Sequence, residues 1–441
     1  MATKRILTRL IKRNYSTTER AIILNQEQLQ SLNLDTERYL YDFLVQEIPL
    51  GSVETPFTRG SEEAKFGKKR IGCVELPSSL ISGVNALIDQ QQDKRLIRTD
   101  ALRLYDALRS TAGKAGTEPH KVAFGPRESV AYAAGVMSSN YAAIYNVLSE
   151  VRERISDFKP TSMLDFGTGP GTAIWATKEL FKIESCTGID LSEDMLNVAE
   201  QLEQSTKPEA DKPIEFKRYL TYNPTAPKSE LVISAFTLGD IASEALQKSA
   251  VEQLWAQTGD ILILMDRGTP TGFTNIAKAR QWILEGKEGH VVAPCSHDKP
   301  CPMLFSPEAK PNSMWCHYSQ RVQRPPFLMK TKHSKMNTED AKYSYVVFRK
   351  GPRPSAKEGS LETQAYNWSR LVQPPLKKNK HVVMDTCSKE GEIQRIVIPK
   401  SQGKVPYRDA RKATWGDLFP HESKNKVVTR MSQGSQTTVC D

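Results

Sequence analysis

No apolar run in this sequence approaches the roughly 20 residues that a membrane-crossing helix requires. The longest candidates, such as Ile261 to Met265 between Asp260 and Asp266, are bracketed by charge and read as buried strands. Membrane insertion is therefore not expected. Cysteine is also scarce, with seven in 441 residues, which excludes a secreted disulfide scaffold. The first 18 residues contain no acid. The mean hydropathy of −0.49 fits a water-soluble globular chain, and the length suggests two or three domains.

The acid-free start carries Lys4, Arg5, Arg9, Lys12 and Arg13, with Ile6, Leu7, Leu10 and Ile11 near helical spacing. This is the pattern of a mitochondrial transit peptide. Arg13-Asn14-Tyr15-Ser16 resembles a matrix-processing site. Residues 1–18 are expected to deliver the chain to the mitochondrial matrix; a basic tail that binds nucleic acid directly is the alternative.

Positive charge is in excess: the formal net charge is +10, and the pI is about 9.1. The surplus is localised. From Arg321 onward 24 Lys/Arg face 11 Asp/Glu, whereas the preceding residues hold 37 and 40. A local basic field concentrates a polyanion such as RNA. Arg321, Arg324, Lys330, Lys332, Lys335, Arg408, Arg411 and Lys412 are the candidate phosphate contacts, against a plain solvated surface.

Five regions follow from patterning. After the leader, residues 19–156 read as a helical region: Leu80, Val84, Leu87 and Ile88 repeat at helical spacing, and residues 131–155 read as one helix. Residues 61–70 read as a polar loop. Residues 157–290 alternate short apolar strands with helices, which predicts a doubly wound parallel α/β sheet. Residues 291–420 read as a basic, cysteine-rich module. It includes a late strand at 343–348, the last strand of the sheet, and a β-hairpin turning at Glu390-Gly391. Residues 421–441 read as a disordered tail.

Within the α/β region, Asp165-Phe-Gly167-Thr-Gly169-Pro-Gly171 follows a strand and opens a helix. Glycines permit a sharp turn and close backbone approach to a ligand. Asp190 ends the next strand, where an acid can accept ribose hydroxyls. This spacing resembles motif I of class I S-adenosylmethionine methyltransferases. That resemblance implies cofactor contacts from Gly167, Gly169, Gly171 and Asp190, with Asp165 organising the loop or the methionine end. An empty, vestigial pocket is the alternative.

Methyl transfer itself has weak sequence support. The fourth strand ends in Ser234-Ala-Phe-Thr-Leu238, where amino-directed base methyltransferases carry Asn/Asp-Pro-Pro-aromatic. Asp240, Asp266 and Arg267 lie near strand ends but read as loop or capping residues. Fold alone does not decide activity, so catalysis stays open.

Cys295 and Cys301 sit beside prolines, Cys316 follows, and Cys387 closes a predicted strand. Four thiolates can complete a zinc site or hold a four-iron cluster. Spacing does not choose between them, nor does it exclude unrelated loop cysteines. Cys73, Cys186 and Cys440 have no such neighbours and read as unliganded.

One ordered set of motifs is more specific. Gly-Thr-Gly-Pro-Gly (167–171), Pro294-Cys295, Cys301-Pro302, Cys316 with Gln320-Arg321, Arg370 with Pro374-Pro375, Cys387, Tyr407-Arg408 and Trp415-Gly416-Asp417 follow in this order. The set resembles the mitochondrial small-subunit assembly factors called methyltransferase-like protein 17 and their fungal counterparts, over roughly residues 21–420. The resemblance implies a [4Fe–4S] cluster on Cys295, Cys301, Cys316 and Cys387; zinc remains the alternative metal. It also implies binding to the precursor of the small mitochondrial ribosomal subunit and its rRNA, in support of mitochondrial translation. An active S-adenosylmethionine-dependent rRNA methyltransferase and a permanent ribosomal protein are the rival expectations.

Overall fold

The structure, a computed structural model, describes residues 60–110, 124–206, 212–220, 227–310, 312–332, 335–355 and 359–432. The expected transit peptide, the helical reading of residues 21–59 and Cys440 lie outside the described residues.

The chain opens with α1 (Glu62–Phe66), β1 (Cys73–Val74), α2 (Ser78–Asp89), α3 (Lys94–Ser110), α4 (Pro126–Gly135) and α5 (Met137–Arg154). The α/β body follows as β2 (Ser162–Phe166), α6 (Thr172–Lys178), β3 (Ser185–Ile189), α7 (Glu193–Thr206), β4 (Glu215–Lys217), β5 (Ser229–Ala235), α8 (Glu244–Gln257), β6 (Thr258–Arg267), α9 (Pro270–Glu285) and β7 (Gly289–Ala293). Then come α10 (Pro302–Phe305), β8 (Tyr318–Gln323), α11 (Pro326–Lys332) and β9 (Thr338–Lys350). The last part holds α12 (Leu361–Ala365), β10 (Ser369–Leu371), β11 (Leu376–Lys377), β12 (His381–Cys387), β13 (Ile393–Pro399), α13 (Lys404–Lys412), β14 (Leu418–Phe419) and β15 (Val428–Met431).

The first sheet runs β1-β8-β9-β6-β5-β2-β3-β4, with β7 also on β9. The pairs β4-β3, β3-β2, β2-β5 and β5-β6 are parallel, and β9 lies antiparallel to β6. This is the class I methyltransferase-like arrangement. Strands of a covered parallel sheet are apolar on both faces: Leu231 to Ile233 and Ile261 to Met265 are fully buried. Helix α5 is pinned to the antiparallel edge by hydrogen bonds. Tyr343 Oη donates to Asn146 Oδ1 at 2.6 Å, and Asn146 Nδ2 donates to Gln320 Oε1 at 2.8 Å. The second sheet is antiparallel, β14-β10-β12-β13-β15, and contains the expected hairpin as β12–β13.

Three local expectations are corrected. Residues 131–155 form not one helix but α4 and α5, broken at Val136 (φ −122°, ψ −38°). Helix α3 presses on this break: a Cβ on Gly135 would stand 2.9 Å from that of Ala101. Residues 61–70 are not all loop, because the Ser61 hydroxyl caps α1 by accepting from Ala64 N at 3.1 Å, a strong N-terminal signal. This segment also clasps the far end of the chain. Ser61 N donates to Asp409 Oδ1, Lys68 Nζ to Asp417 Oδ2 and Leu418 N to Gly67 O, at 3.2, 2.6 and 2.8 Å. The tail reading for 421–441 is corrected over its first part: His421 pairs with Asp409 at 2.8 Å, and β15 adds to the edge of β13. Among the described residues no helix is long and apolar enough to cross a membrane.

Candidate functional site

Two places on this framework bring chemistry-bearing residues together. The first is the turn between β2 and α6. Gly167, Gly169 and Gly171 all take positive φ, at 75°, 52° and 78°, a backbone that side chains with a Cβ resist. A Cβ on Gly167 would strike Thr237 Oγ1 at 2.0 Å, whereas one on Gly169 would point into open space. The main chain at Gly169 is therefore exposed for close approach by a ligand.

Asp190 sets this turn. Its Oδ2 accepts from Gly169 N at 2.8 Å, and its Oδ1 accepts from Ser192 N at 2.9 Å. Burial pushes its pKa up, and the two main-chain donors oppose that. Each carboxylate oxygen keeps accepting capacity for a hydroxyl. Beside it Leu191 is 71% exposed, an apolar surface suited to a flat ring. Asp165 lies below, buried, accepting from the Thr168 hydroxyl at 2.7 Å. Burial raises its pKa to about 7. Its contacts are with the loop.

Near the cradle a cleft of about 480 Å³ is lined by Tyr105, Tyr132, Asn140, Phe236, Arg267 and Trp315, among others. Phe236, in the stretch without an acceptor motif, has φ of +64°, a strained value of the kind that collects at ligand sites. Asp266 accepts from Asn275 Nδ2 at 2.9 Å, and Asp240 lies 3.5 Å from Arg267. Both acids are engaged in local structure.

The second place is a cavity between the two sheets. Cys295, Cys301, Cys316 and Cys387 all line it, with Arg280 and Arg370 in the same wall. Cys295 and Cys301 follow β7, Cys316 precedes β8, and Cys387 ends β12, so the fold gathers residues spread over more than 90 positions. Cys301 and Cys387 share one apolar cluster with Phe273 and Ala277 of α9 and with Val372 and Ile393 of the second sheet. Burial raises the Cys301 thiol to about 11 and the Cys316 and Cys387 thiols higher still, each further raised by its sulfur neighbours. Cys316 Sγ lies 3.3 Å from Tyr318 Oη, and Cys387 Sγ lies 3.3 Å from His297 Nε2. Burial lowers the His297 pKa to about 3, leaving a neutral imidazole. Among the described residues no three His, Cys, Asp or Glu side chains gather tightly enough to grip a metal ion. Cys73 and Cys186, read as unliganded, stand apart in β1 and β3.

The basic candidates divide into two groups. Arg321 pairs with Asp340 at 2.8 Å, and Arg324 and Lys332 share Glu339 at 2.9 and 2.7 Å. Charge counting along the chain could not see these pairings. Lys330 and Lys335 are exposed. At α13 and the turn before it the picture differs: Lys400, Lys404, Tyr407, Arg408, Arg411 and Lys412 line a cleft of about 420 Å³ whose lining contains no acid. Asp409 of the same helix points inward and is buried. Trp415 packs edge-on to His317 at 4.7 Å, beside Cys316.

Comparison with known proteins adds the following. Residues 126–420 match the family described as mitochondrial small ribosomal subunit Rsm22. The chain is 31% identical over 305 residues to human ribosome assembly protein METTL17, mitochondrial, covering 66% of this chain and 62% of that protein. It is 31% identical over 352 residues to the Rsm22-cox11 tandem protein 2, mitochondrial, of Schizosaccharomyces pombe, covering 70% of this chain and 46% of that protein. It thus spans about half to three-fifths of these relatives' own lengths. Among solved structures it is similar to a magnesium protoporphyrin IX methyltransferase from Synechocystis with bound S-adenosylmethionine, at 13% identity and a TM-score of 0.30, covering 57% of this chain and 97% of that one.

Proposed function

This chain belongs to the Rsm22 family, and from that premise we propose that it is a mitochondrial assembly factor that binds the precursor of the small ribosomal subunit through its rRNA. The family match over residues 126–420 carries the reading. The acid-free cleft on α13 supports it, since clustered Lys and Arg neutralise phosphates. The acid-free, basic first 18 residues support import into the matrix. Tagged protein recovered from mitochondria is expected to enrich small-subunit rRNA over large-subunit rRNA; equal recovery of both would contradict the reading.

Cys295, Cys301, Cys316 and Cys387 are proposed to hold a [4Fe–4S] cluster. The donor set fits: four soft thiols line one mostly apolar cavity that also holds Arg280 and Arg370, with a neutral histidine beside Cys387. Four thiols on one cavity could hold a four-iron core, with one thiolate per iron, or a single zinc ion. The cluster would supply cross-linking between the two sheets, and zinc is the alternative occupant.

The glycine cradle is proposed to receive S-adenosylmethionine, through the main chain at Gly167, Gly169 and Gly171, the Asp190 carboxylate and the Leu191 surface. When bound, that cofactor supplies an activated methyl group. Asp190→Ala should weaken binding by roughly 1.5–3 kcal/mol, the worth of a hydrogen bond to a charged group. Titration calorimetry measures this, and no binding by the unmutated protein would point to a vestigial pocket. A second reading, an active rRNA methyltransferase, is favoured by the 480 Å³ cleft near the cradle. Transfer of a labelled methyl group to small-subunit rRNA, lost in Asp190→Ala, would support it.

A further inference from the structure

A group of buried charges beside the four-cysteine cavity does not balance. Glu150 is the single carboxylate facing Arg370 at 2.6 Å, Lys69 at 2.9 Å and Arg154 at 3.9 Å. The four side chains are between 2% and 7% exposed. Burial opposes ionisation of Glu150, but Arg370, Lys69 and Arg154 together hold it well below the usual carboxylate range. Burial lowers Lys69 to about 8, against the pull of Glu150. Three cations against one anion leave an excess of two positive charges in a medium where an unpaired charge is costly.

The other hydrogen bonds of the group are to neutral partners. Arg370 donates through Nε to Pro294 O at 2.9 Å and through Nη1 to Gly416 O at 2.7 Å. Arg154 donates to Val292 O, and Lys69 to Asn146 Oδ1. Tyr345 Oη donates to Glu150 at 2.5 Å. On another part of the cavity wall Arg280 is 2% exposed and donates to His297 O and Lys299 O, at 2.6 and 2.7 Å, again carbonyls. Asp298 pairs with Arg353, and Asp417 with Lys68. Lys69, Glu150 and Arg154 also line a separate cleft of about 580 Å³ that includes Glu75, Glu153 and Glu179, whereas Arg370 and Arg280 line the cavity of the four thiols.

We propose that Arg370, set by its ion pair with Glu150, is together with Arg280 the built-in counter-charge of a dianionic metal–tetrathiolate centre in that cavity, and that Arg370 fixes how tightly the centre is held. The inference rests on the four-cysteine reading above. Four thiolates around a [4Fe–4S] core in its 2+ state, or around zinc, carry a net charge of two minus. Positive charge nearby stabilises that dianion, and stabilises still more the trianion formed when the iron core gains one electron. Arg370 is then a positioning residue, reaching the Pro294–Cys295 turn, the Gly416 turn and α5 from one guanidinium. Loading of the centre and closure of these three segments are coupled through it.

Opposite charge changes separate this role from simple packing. Arg370→Gln removes a positive charge and Glu150→Gln removes the negative one, while both sacrifice hydrogen bonds. In anaerobically purified full-length protein, Arg370→Gln is expected to lose metal to a chelator faster than the unmutated chain and to shift the cluster midpoint to more negative potential. Glu150→Gln is expected to shift the midpoint to more positive potential. Arg370→Lys, which keeps the charge, should recover most of the midpoint. If Arg370→Gln does not fold, Arg280→Gln supplies the same sign of change from another part of the wall. Midpoints that move in the same direction in Arg370→Gln and Glu150→Gln, or do not move, would overturn the counter-charge. With zinc in the site, the same opposite signs should appear in zinc retention. Absence of any metal in the unmutated protein would instead overturn the four-cysteine reading beneath it.

Discussion

Replacing Cys387 by serine is expected to strip most of the metal from the protein and to open the segment from Pro294 to Pro420 to protease. Cys387 ends β12, and its partners Cys295, Cys301 and Cys316 lie on the loops flanking β7 and β8. A shared centre would tie the second sheet to the α/β body at the point where Cys301 and Cys387 already pack together. Metal binding at such a site is folding free energy, about 10–16 kcal/mol for structural zinc in small domains. Losing one ligand of four therefore has a large effect. Without a metal, exchange of a buried thiol for a hydroxyl would cost only about 1–3 kcal/mol. Cys186→Ser is the control, since that thiol is equally buried in β3 but lies away from the cavity. Limited proteolysis and iron content should single out Cys387→Ser. Equal, small effects in both variants would mean that the four cysteines are only packed side chains.

Reversing the charge on α13 should abolish most RNA binding while leaving the fold intact. Arg408, Arg411 and Lys412 line a cleft that includes no acid, and the inner face of the helix is anchored separately by buried Ala410 and by Asp409, which holds Ser61 N and His421. If the three cations each meet a phosphate of a single strand, their loss should flatten the log–log salt slope by about 2. At 0.1 M salt this corresponds to roughly 100-fold in affinity. The same number of substitutions at Arg321, Arg324 and Lys332 should do less to the salt slope, because those cations are paired with Asp340 and Glu339. Their loss should instead destabilise the β8–β9 edge. Salt titrations of both triple variants against a small-subunit rRNA fragment distinguish the two surfaces. Equal slopes would show that the whole basic surplus acts as one diffuse field.

The parts of this molecule legible in its sequence are those set by local physics. Strands β2, β3, β5 and β6, the glycine turn at 167–171 and the hairpin at 390–391 follow from apolar runs and turn chemistry that act within a few residues. The helix break at Val136 was hidden because its cause, the close approach of Ala101 to Gly135, is tertiary. The cap at Ser61 was present in the sequence but was outweighed by the polarity of the segment. Strand β15 is short, with mostly exposed side chains, and gains its place by pairing on β13, which no local pattern announces. The same distinction holds at the site. The four cysteines could be picked out by their neighbours, but the cations beside them could not. Lys69, Arg370 and the α5 pair Glu150 and Arg154 come from three separate stretches and acquire meaning only when α5 is laid against β9 and the second sheet.

The sedimentation profile of the tagged chain in mitochondrial extract, resolved on a gradient, separates an assembly factor from a ribosomal protein. A factor that binds the immature small subunit should co-migrate with small-subunit particles that lack late-joining proteins, and should be absent from the peak of translating ribosomes. The Cys387→Ser and α13 charge-reversal variants should shift toward free protein at the top of the gradient. A chain found in stoichiometric amount in translating ribosomes, or one that never leaves the top of the gradient, would contradict the assignment.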